Sequence, residues 1–492
     1  MKGNGDLQVS GATHDSRLVE PGCLFAALLG ANVDGGAFAR QAVEAGAAAI
    51  LCGEELSVRV PQIVVPDPRG ALGKAAAAAY GNPTGSLSLA GITGTNGKTT
   101  VTYILEAALA AAGARAGVMG TVEYRFGGRK WKADHTTPEA PVIQAVAREM
   151  ADAGASHLVM EVSSHGLSLG RLGGCEFDVV AFTNLTQDHL DFHADMEEYA
   201  AAKMKLFTEV IADRPDARAV VNADDPFGRT IVGACPRPTL SISCDPGSSA
   251  DIRPRGEPTY GIDGIRTMIE TPAGPLELDS PMLGSHNLNN LLVALGVCFQ
   301  LGVAPEAAAK GVSALRSVPG RLERVSCDLG FTVLVDYAHT PDALSRALSA
   351  LRPLTKGRLM CVFGCGGDRD TKKRPLMGAA VGGGADVAVV TSDNPRTEDP
   401  GAIIDMILPG VESGPMVRVG TEALSSTAAV YTVEPDRSSA IALAIRSAGE
   451  GDTVLIAGKG HEDYQILGKA KIHFDDREHA AEAISRSREA GR

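Results

Sequence analysis

Residues 89–100 read Leu89-Ala90-Gly91-Ile92-Thr93-Gly94-Thr95-Asn96-Gly97-Lys98-Thr99-Thr100. An apolar run ends in a glycine-bearing loop, and the loop opens directly into an amphipathic stretch over residues 98–112. Gly94 and Gly97 permit positive φ and close approach of the backbone to an anion. Backbone N–H groups of the loop and the helix N-terminus then meet the anion. Lys98 supplies a point charge for the outer phosphates and Thr99 a hydroxyl for Mg²⁺. The usual phosphate loop wants glycine where this chain has Ile92, so the motif is a shorter form, GTNGKTT. The plain alternative is a tight strand–helix turn with an exposed lysine.

Outward from this loop, short β-branched runs alternate with amphipathic stretches. Residues 87–93, 157–162, 178–183 and 217–221 read as buried strands, with helices at 98–112, 141–154 and 196–210. The alternation resumes with strands at 332–335, 358–363, 386–391 and 453–457, separated by helices at 341–351, 372–382 and 437–448. This pattern predicts α/β architecture, with mostly parallel sheets covered by helices on both faces. Turn-rich stretches at 80–86 and 318–320 suggest three domains. These are a small N-terminal α/β domain (1–86), a central phosphate-loop domain (87–318) and a C-terminal Rossmann-like α/β domain (319–492).

With 492 residues, three domains is also the expectation from length. Aromatics are only 4%, so alanine, valine and leucine must fill the cores. Lys+Arg number 46 and Asp+Glu 59, a net charge of −13. Such a chain, without a basic block, is not expected to bind nucleic acid nonspecifically. No apolar run approaches the ~18 residues of a spanning helix, so membrane insertion is not expected. The start, MKGNGDLQVS, lacks the apolar core of a signal peptide. The 9 cysteines form no CxxC pair and read as free thiols of a cytoplasmic protein.

Polar clusters fall at the ends of the predicted strands, where α/β sheets bind ligands. Met160-Glu161-Val162-Ser163-Ser164-His165 closes one strand, and Thr183-Asn184-Leu185-Thr186-Gln187-Asp188-His189-Leu190-Asp191 follows the next. Glu161 and His189 are candidate metal contacts. His135-Thr136-Thr137-Pro138-Glu139 also reads as a helix start. Asn287, in Leu283-Gly284-Ser285-His286-Asn287, stands before a helix predicted over 289–301, as a cap or a ligand contact. Lys203, read from its helix alone, is a solvated surface lysine. Three more loops follow strands of the third domain: Gly364–Asp370 with Arg369, 391–400 with Asp393-Asn394-Pro395-Arg396, and 457–465 with Gly458 and Glu462. Three ligand-type loops on strand ends imply one shared pocket.

The short phosphate loop resembles that of the Mur ligases, ATP-dependent enzymes that join an amine to a carboxylate in peptidoglycan precursor synthesis. Folylpolyglutamate synthases carry a similar loop, and a nucleotide-binding switch protein would need no more than the loop itself. Further segments carry the resemblance along almost the whole chain. They are Asp15-Ser16-Arg17 with Pro21-Gly22-Cys23-Leu24-Phe25, the YxxAKxxLF helix at 199–207, the asparagine segment around Asn287, Pro319-Gly320-Arg321, Asp336-Tyr337-Ala338-His339 and the DNPR tetrad at 393–396. The tetrad is similar to that of the branch adding meso-2,6-diaminopimelate to UDP-N-acetylmuramoyl-L-alanyl-D-glutamate.

The resemblance implies the following roles. ATP sits on Gly94–Thr100, with Asn287 facing adenine, Arg321 near the γ-phosphate and Asp336 at the ribose. Mg²⁺ is held by Thr99, Glu161, His189 and a CO₂-derived carbamate on Lys203. Lys98, Lys203, His189 and Glu161 serve catalysis. The UDP-linked substrate meets Ser16, Asn32, Thr136, Thr137, Ser163 and Arg171. Diaminopimelate meets Arg369, Asp393, Asn394, Pro395, Arg396, Gly458 and Glu462. The chain is expected to act as a monomer. One departure is Leu169, where family members often have glutamine, so a contact to the peptide substrate is in doubt.

Overall fold

The computed structural model describes residues 7–30, 33–190, 192–424 and 428–489. Asn32 and Asp191 lie outside these. The first sheet is four-stranded and parallel, built from Ala12–Thr13, Leu24–Ala26, Ala49–Cys52 and Gln62–Val64. The second has eight strands in the spatial order Thr239–Ile242, Arg218–Asn222, Val179–Phe182, Ser88–Thr93, His157–Glu161, Ala116–Met119, Tyr124–Phe126, Arg129–Trp131. Its first six strands pair in parallel, and the last two form an antiparallel edge. Apolar clusters cover both faces. Ala90 and Ile92 of Ser88–Thr93 face one, Leu89 the other, as the two-residue period of a strand requires.

The strand order positions the site. From Ser88–Thr93 the chain moves to one side of the sheet, returns through His157–Glu161, and then crosses to Val179–Phe182 on the other side. The loop after Ser88–Thr93 therefore stands at the topological switch point, where the crevice outside the strand ends opens. Glu161 ends one flanking strand and Thr183 follows the other.

An antiparallel lobe, Arg253–Pro254, Thr259–Gly261, Gly264–Thr271 and Gly274–Ser280, follows the central sheet; the sequence pattern did not disclose it. The last large sheet runs Glu323–Val325, Thr332–Asp336, Thr453–Ala457, Leu359–Phe363, Val387–Val390, Val430–Val433, Val417–Arg418, parallel after its first pair. Val333 and Val335 enter one core and Leu334 the other.

Two helix expectations need correction. The helix foreseen over 289–301 spans Ser285–Gln300, so Asn287 lies inside its first turn rather than at its cap; Gly284, at φ +87°, holds that place. The helix foreseen over 196–210 is α-helical only over Met196–Lys205 and widens to a π-turn at Leu206–Val210. Among the described residues no helix is long and apolar enough to cross a membrane.

Candidate active site

A cavity of about 720 Å³ opens between the central and last sheets. Its walls include Thr95–Thr100, Glu161, His189, Lys203 and Asn287 from the central part and Arg321, Asp336 and Tyr337 from the last. The phosphate loop ends in Gly97 at φ +90°, and the helix Lys98–Ala111 starts there with its positive end toward the cavity. Gly94, at φ +144°, is packed so closely on Thr183 that a Cβ has no room. The loop is held from behind. Asn184 Oδ1 accepts from Asn96 N at 2.9 Å, and Thr183 Oγ1 donates to Asn96 O at 2.6 Å. The sequence pattern does not disclose this bracing role of Thr183 and Asn184, although their place right after the neighbouring strand is a signal of it.

Two lysines converge on one carbonyl. Lys98 Nζ donates to Gly94 O at 2.8 Å and Thr95 O at 2.9 Å, while Lys203 Nζ donates to Gly94 O at 3.0 Å. Lys203 is 1% exposed, not solvated, and its Nζ stands 4.4 Å from the Tyr199 ring centroid. The stripe Tyr199, Lys203, Phe207 explains this, since positions four apart share a helix face. Burial, with the Lys98 charge beside it, holds the Lys203 amine well below its ordinary value. An uncharged amine is the form that attacks an electrophilic carbon.

Glu161 is 1% exposed; its two oxygens accept from Thr121 N and Thr121 Oγ1, both at 2.9 Å. Thr121, absent from the sequence expectations, thus aims this carboxylate. His189 adopts φ +57°, and burial holds its imidazole down at about 4, hence neutral and able to donate a lone pair. Among the described residues no three His, Cys, Asp or Glu side chains form a self-sufficient metal cage. Mg²⁺ rarely needs one, since it keeps waters and uses one or two carboxylates plus substrate phosphates. Thr99, Glu161 and His189, all lining the one cavity, suit that mode.

Arg321 reaches across the cleft, Nη2 to Thr99 Oγ1 at 3.4 Å, with its guanidinium 4.8 Å from the Tyr337 ring centroid. Asp336 accepts from Leu322 N at 2.7 Å and Ala338 N at 2.8 Å, so much of its capacity goes to the backbone. Asn287 is spent within its own helix region, donating to Leu283 O and accepting from Asn290.

The residues expected to meet the UDP-linked substrate are spread out. Thr136 and Ser163 line the cavity. Thr137 is fully buried behind it, donating to Glu161 O and accepting from Ser163 N. Arg171 donates to Glu139 Oε1 and Thr137 O, at 2.8 and 2.9 Å. Ser16 is remote, in the first domain, within 3.4 Å of Gln41.

The third-domain loops form a second cluster beyond Tyr337. Asp393 and Asn394 are buried, at 6% and 4% exposure. Asn394 Nδ2 donates to Glu462 Oε2 at 2.9 Å, and its Oδ1 accepts from Ile466 N. Arg396, at φ +52°, donates to Gly367 O at 2.8 Å, and its backbone pairs with the hairpin strand Tyr464–Leu467. Pro395 packs its carbonyl against Gly367. Gly458, at φ +118°, faces Asp393. Arg369 is exposed and donates to the carbonyl of Asp368, with its stem beside Gly366 on the same side as Arg396.

Comparison with known proteins matches this geometry. Profiles of the Mur ligase family match in three places: the catalytic domain at residues 8–80, the middle domain at 92–298 and the glutamate ligase domain at 320–460. The UDP-N-acetylmuramoyl-L-alanyl-D-glutamate–2,6-diaminopimelate ligase of Gloeobacter violaceus is 48% identical, covering 99% of this chain and 96% of its own. That of Geobacter metallireducens is 47% identical, covering 97% and 94%. A solved structure of a ligase of the same name superposes with a TM-score of 0.71 at 34% identity, covering 98% of this chain and 95% of that one.

Proposed function

From the premise that the chain belongs to the Mur ligase family and is an ATP-dependent ligase of peptidoglycan precursor synthesis, we propose how its own residues select and join the substrates. The acceptor is UDP-N-acetylmuramoyl-L-alanyl-D-glutamate, the incoming amine meso-2,6-diaminopimelate, and the enzyme works in the cytoplasm as a monomer. The carrying observation is one chain that sets a phosphate loop at a sheet switch point, lining a cavity whose far wall includes Tyr337, and behind Tyr337 an arginine-bearing loop cluster, Asn394–Glu462 with Arg396. The domains divide near residues 86 and 318.

The phosphates of ATP lie on residues 94–100. An oxygen of the D-glutamyl γ-carboxylate attacks the γ-phosphorus, the β–γ bridge bond breaks, and ADP departs with an acyl phosphate left behind. The amine of diaminopimelate then attacks the acyl carbon. The tetrahedral intermediate expels inorganic phosphate as the C–N bond closes and the nitrogen loses its proton. Lys98 and Arg321 stand where charge develops on the transferring group, which is where preorganised donors accelerate phosphoryl transfer. Thr99, Glu161, His189 and a carbamate on Lys203 would hold Mg²⁺, which neutralises phosphate charge when bound. The carbamate forms when the uncharged Lys203 amine attacks CO₂ and releases a proton. The burial of Lys203 and the Lys98 charge beside it, which keep its amine from holding a proton, support this reading. Thr136, Ser163 and Arg171 guide the peptide end of the nucleotide substrate, and Ser16 its uridine end.

Arg396 pairs with the distal carboxylate of diaminopimelate, and Glu462 with its ammonium. L-Lysine lacks that carboxylate and would leave a guanidinium unpaired. The test is phosphate release with ATP, Mg²⁺ and the UDP-linked dipeptide. It should require an amine and favour diaminopimelate over L-lysine by ~10⁴ in kcat/KM, the discrimination of a site built around a polar group. Equal values, or a preference for lysine, would overturn the substrate assignment.

A further inference from the structure

Lys459 has no part in the scheme above, yet its side chain is completely buried beside the loops that carry Asp393 and Glu462. Gly458 and Gly460 flank it at φ +118° and +53°, a backbone path that turns the lysine inward immediately after the strand Thr453–Ala457. Its Nζ stands 3.4 Å from Asn394 Oδ1, 3.5 Å from Asp393 Oδ1 and 3.7 Å from Glu462 Oε2. The Tyr464 ring centroid is 5.6 Å away. The ammonium is shared among three residues of the pocket, and none holds it in a short ion pair.

The second buried cation nearby is already neutralised. Arg437 makes a two-pronged pair with Asp476, both contacts at 2.7 Å, and both side chains are at 0% exposure. Asp393 and Glu462 therefore bring two negative charges against Lys459, while the fourth charge of the cluster, the Arg396 guanidinium, donates to Gly367 O and is left to meet a carboxylate. Asp393 Oδ1 is buried, and apart from the Lys459 ammonium at 3.5 Å, too long for a hydrogen bond, it meets no donor among the described residues. A buried carboxylate oxygen in that condition is costly unless a donor arrives.

We propose that Lys459 is a positioning residue that sets the charge of the amino-acid pocket. It balances one of the two carboxylates and leaves a single net negative charge, between Asp393 and Glu462, to receive the ammonium of the incoming amino acid. Arg396 then meets the adjoining carboxylate, so a zwitterionic end finds both charges answered. Without Lys459 the two carboxylates repel, one takes up a proton or the loops part, and the ammonium loses its site. The inference rests on the diaminopimelate reading of the pocket.

The experiment compares the wild-type enzyme with Lys459→Met, Lys459→Arg and the double variant Lys459→Met/Asp393→Asn, measuring KM for each substrate in turn. Lys459→Met should raise KM for meso-diaminopimelate by about tenfold or more, as expected for two unbalanced buried charges. KM for ATP and for the UDP-linked dipeptide should stay within about twofold, because a local change of pocket charge leaves their sites alone, whereas a general distortion of the cleft would move all three. The double variant restores the net charge and should recover part of the lost affinity, and Lys459→Arg should stay close to wild type. Those two variants also carry the comparison should Lys459→Met not fold. An unchanged KM for diaminopimelate in Lys459→Met, equal rises for all three substrates, or no recovery in the double variant would overturn the proposal. A wild-type enzyme that ignores diaminopimelate would overturn the substrate reading and this proposal with it. An active wild type with an unaffected Lys459→Met would overturn the proposal alone.

Discussion

Lys203 shows how one residue changes meaning with its surroundings. On its helix alone it is an ordinary lysine, but at 1% exposure, sharing Gly94 O with Lys98, it is an amine that the fold discourages from carrying charge. Lys203→Ala should lower turnover by about 10³-fold or more, the scale of removing a group that acts with others as a unit. Bicarbonate or a short carboxylate should restore part of it, measured as phosphate release at saturating substrates. An undiminished variant would return Lys203 to a purely structural role. Arg396 differs, because its contribution depends on shape as well as charge. A guanidinium meets a carboxylate with two parallel bonds, and an ammonium cannot. Arg396→Ala should cost several kcal/mol in kcat/KM for diaminopimelate, with Arg396→Lys rescuing little. KM for ATP should be nearly unmoved, since the phosphate loop lies on the other side of Tyr337. A parallel loss for ATP would mean that Arg396 supports the fold of the cleft.

At the scale of elements, the strands and helices around the phosphate loop were legible because each carries its own period and its own end signals. Thr453–Ala457 is found where the apolar run places it, and His157–Glu161 ends one residue early. The antiparallel lobe at 253–280 was not legible, since its strands are half-exposed and polar, as in Gly264–Thr271 with alternate residues facing solvent. Contacts between distant elements were the least legible. Nothing local in Arg437 announces that it pairs with Asp476 on the helix Asp476–Glu489 while donating to Ser392 O and Ala457 O. Those carbonyls immediately precede Asp393 and Gly458, so this pair braces two loops of the amino-acid pocket from beneath. Breaking a buried pair by removing one partner costs about 3–5 kcal/mol. Asp476→Ala should show that loss in urea denaturation, and the folded fraction should have a raised KM for diaminopimelate with KM for ATP little changed. A loss under about 1 kcal/mol would mean that solvent reaches the pair.

At the scale of the whole molecule, the central and last sheets meet through groups that tolerate little added positive charge. Asn96 reaches Asp342 at 3.5 Å and Arg321 reaches Thr99, so the cleft is bridged by contacts from both sides. His286, at the start of Ser285–Gln300, is held down at about 4 by burial and by Arg346 on the facing helix Pro341–Leu351. His461 is held down at about 3 by burial and then by Arg321 and Arg477. In the unfolded chain both return toward the ordinary value of 6.5. Between that value and about 4, the unfolded state therefore binds more protons than the folded one. Stability is fully present above the unfolded value and is lost as pH falls toward the folded one, with a slope approaching about 1.4 kcal/mol per pH unit for each histidine. Over the window from pH 6.5 down to 5 ordinary carboxylates remain mostly ionised, and His189, also held down at about 4, adds to the same fall, so the share of one histidine is read from a variant. Urea denaturation of the wild type across that window should show a falling unfolding free energy. His286→Gln, which cannot take the proton, should show a shallower fall by up to one histidine's share. Parallel curves for the two proteins would mean that His286 titrates normally in the folded state, and that the joint between the two sheets does not resist its charge.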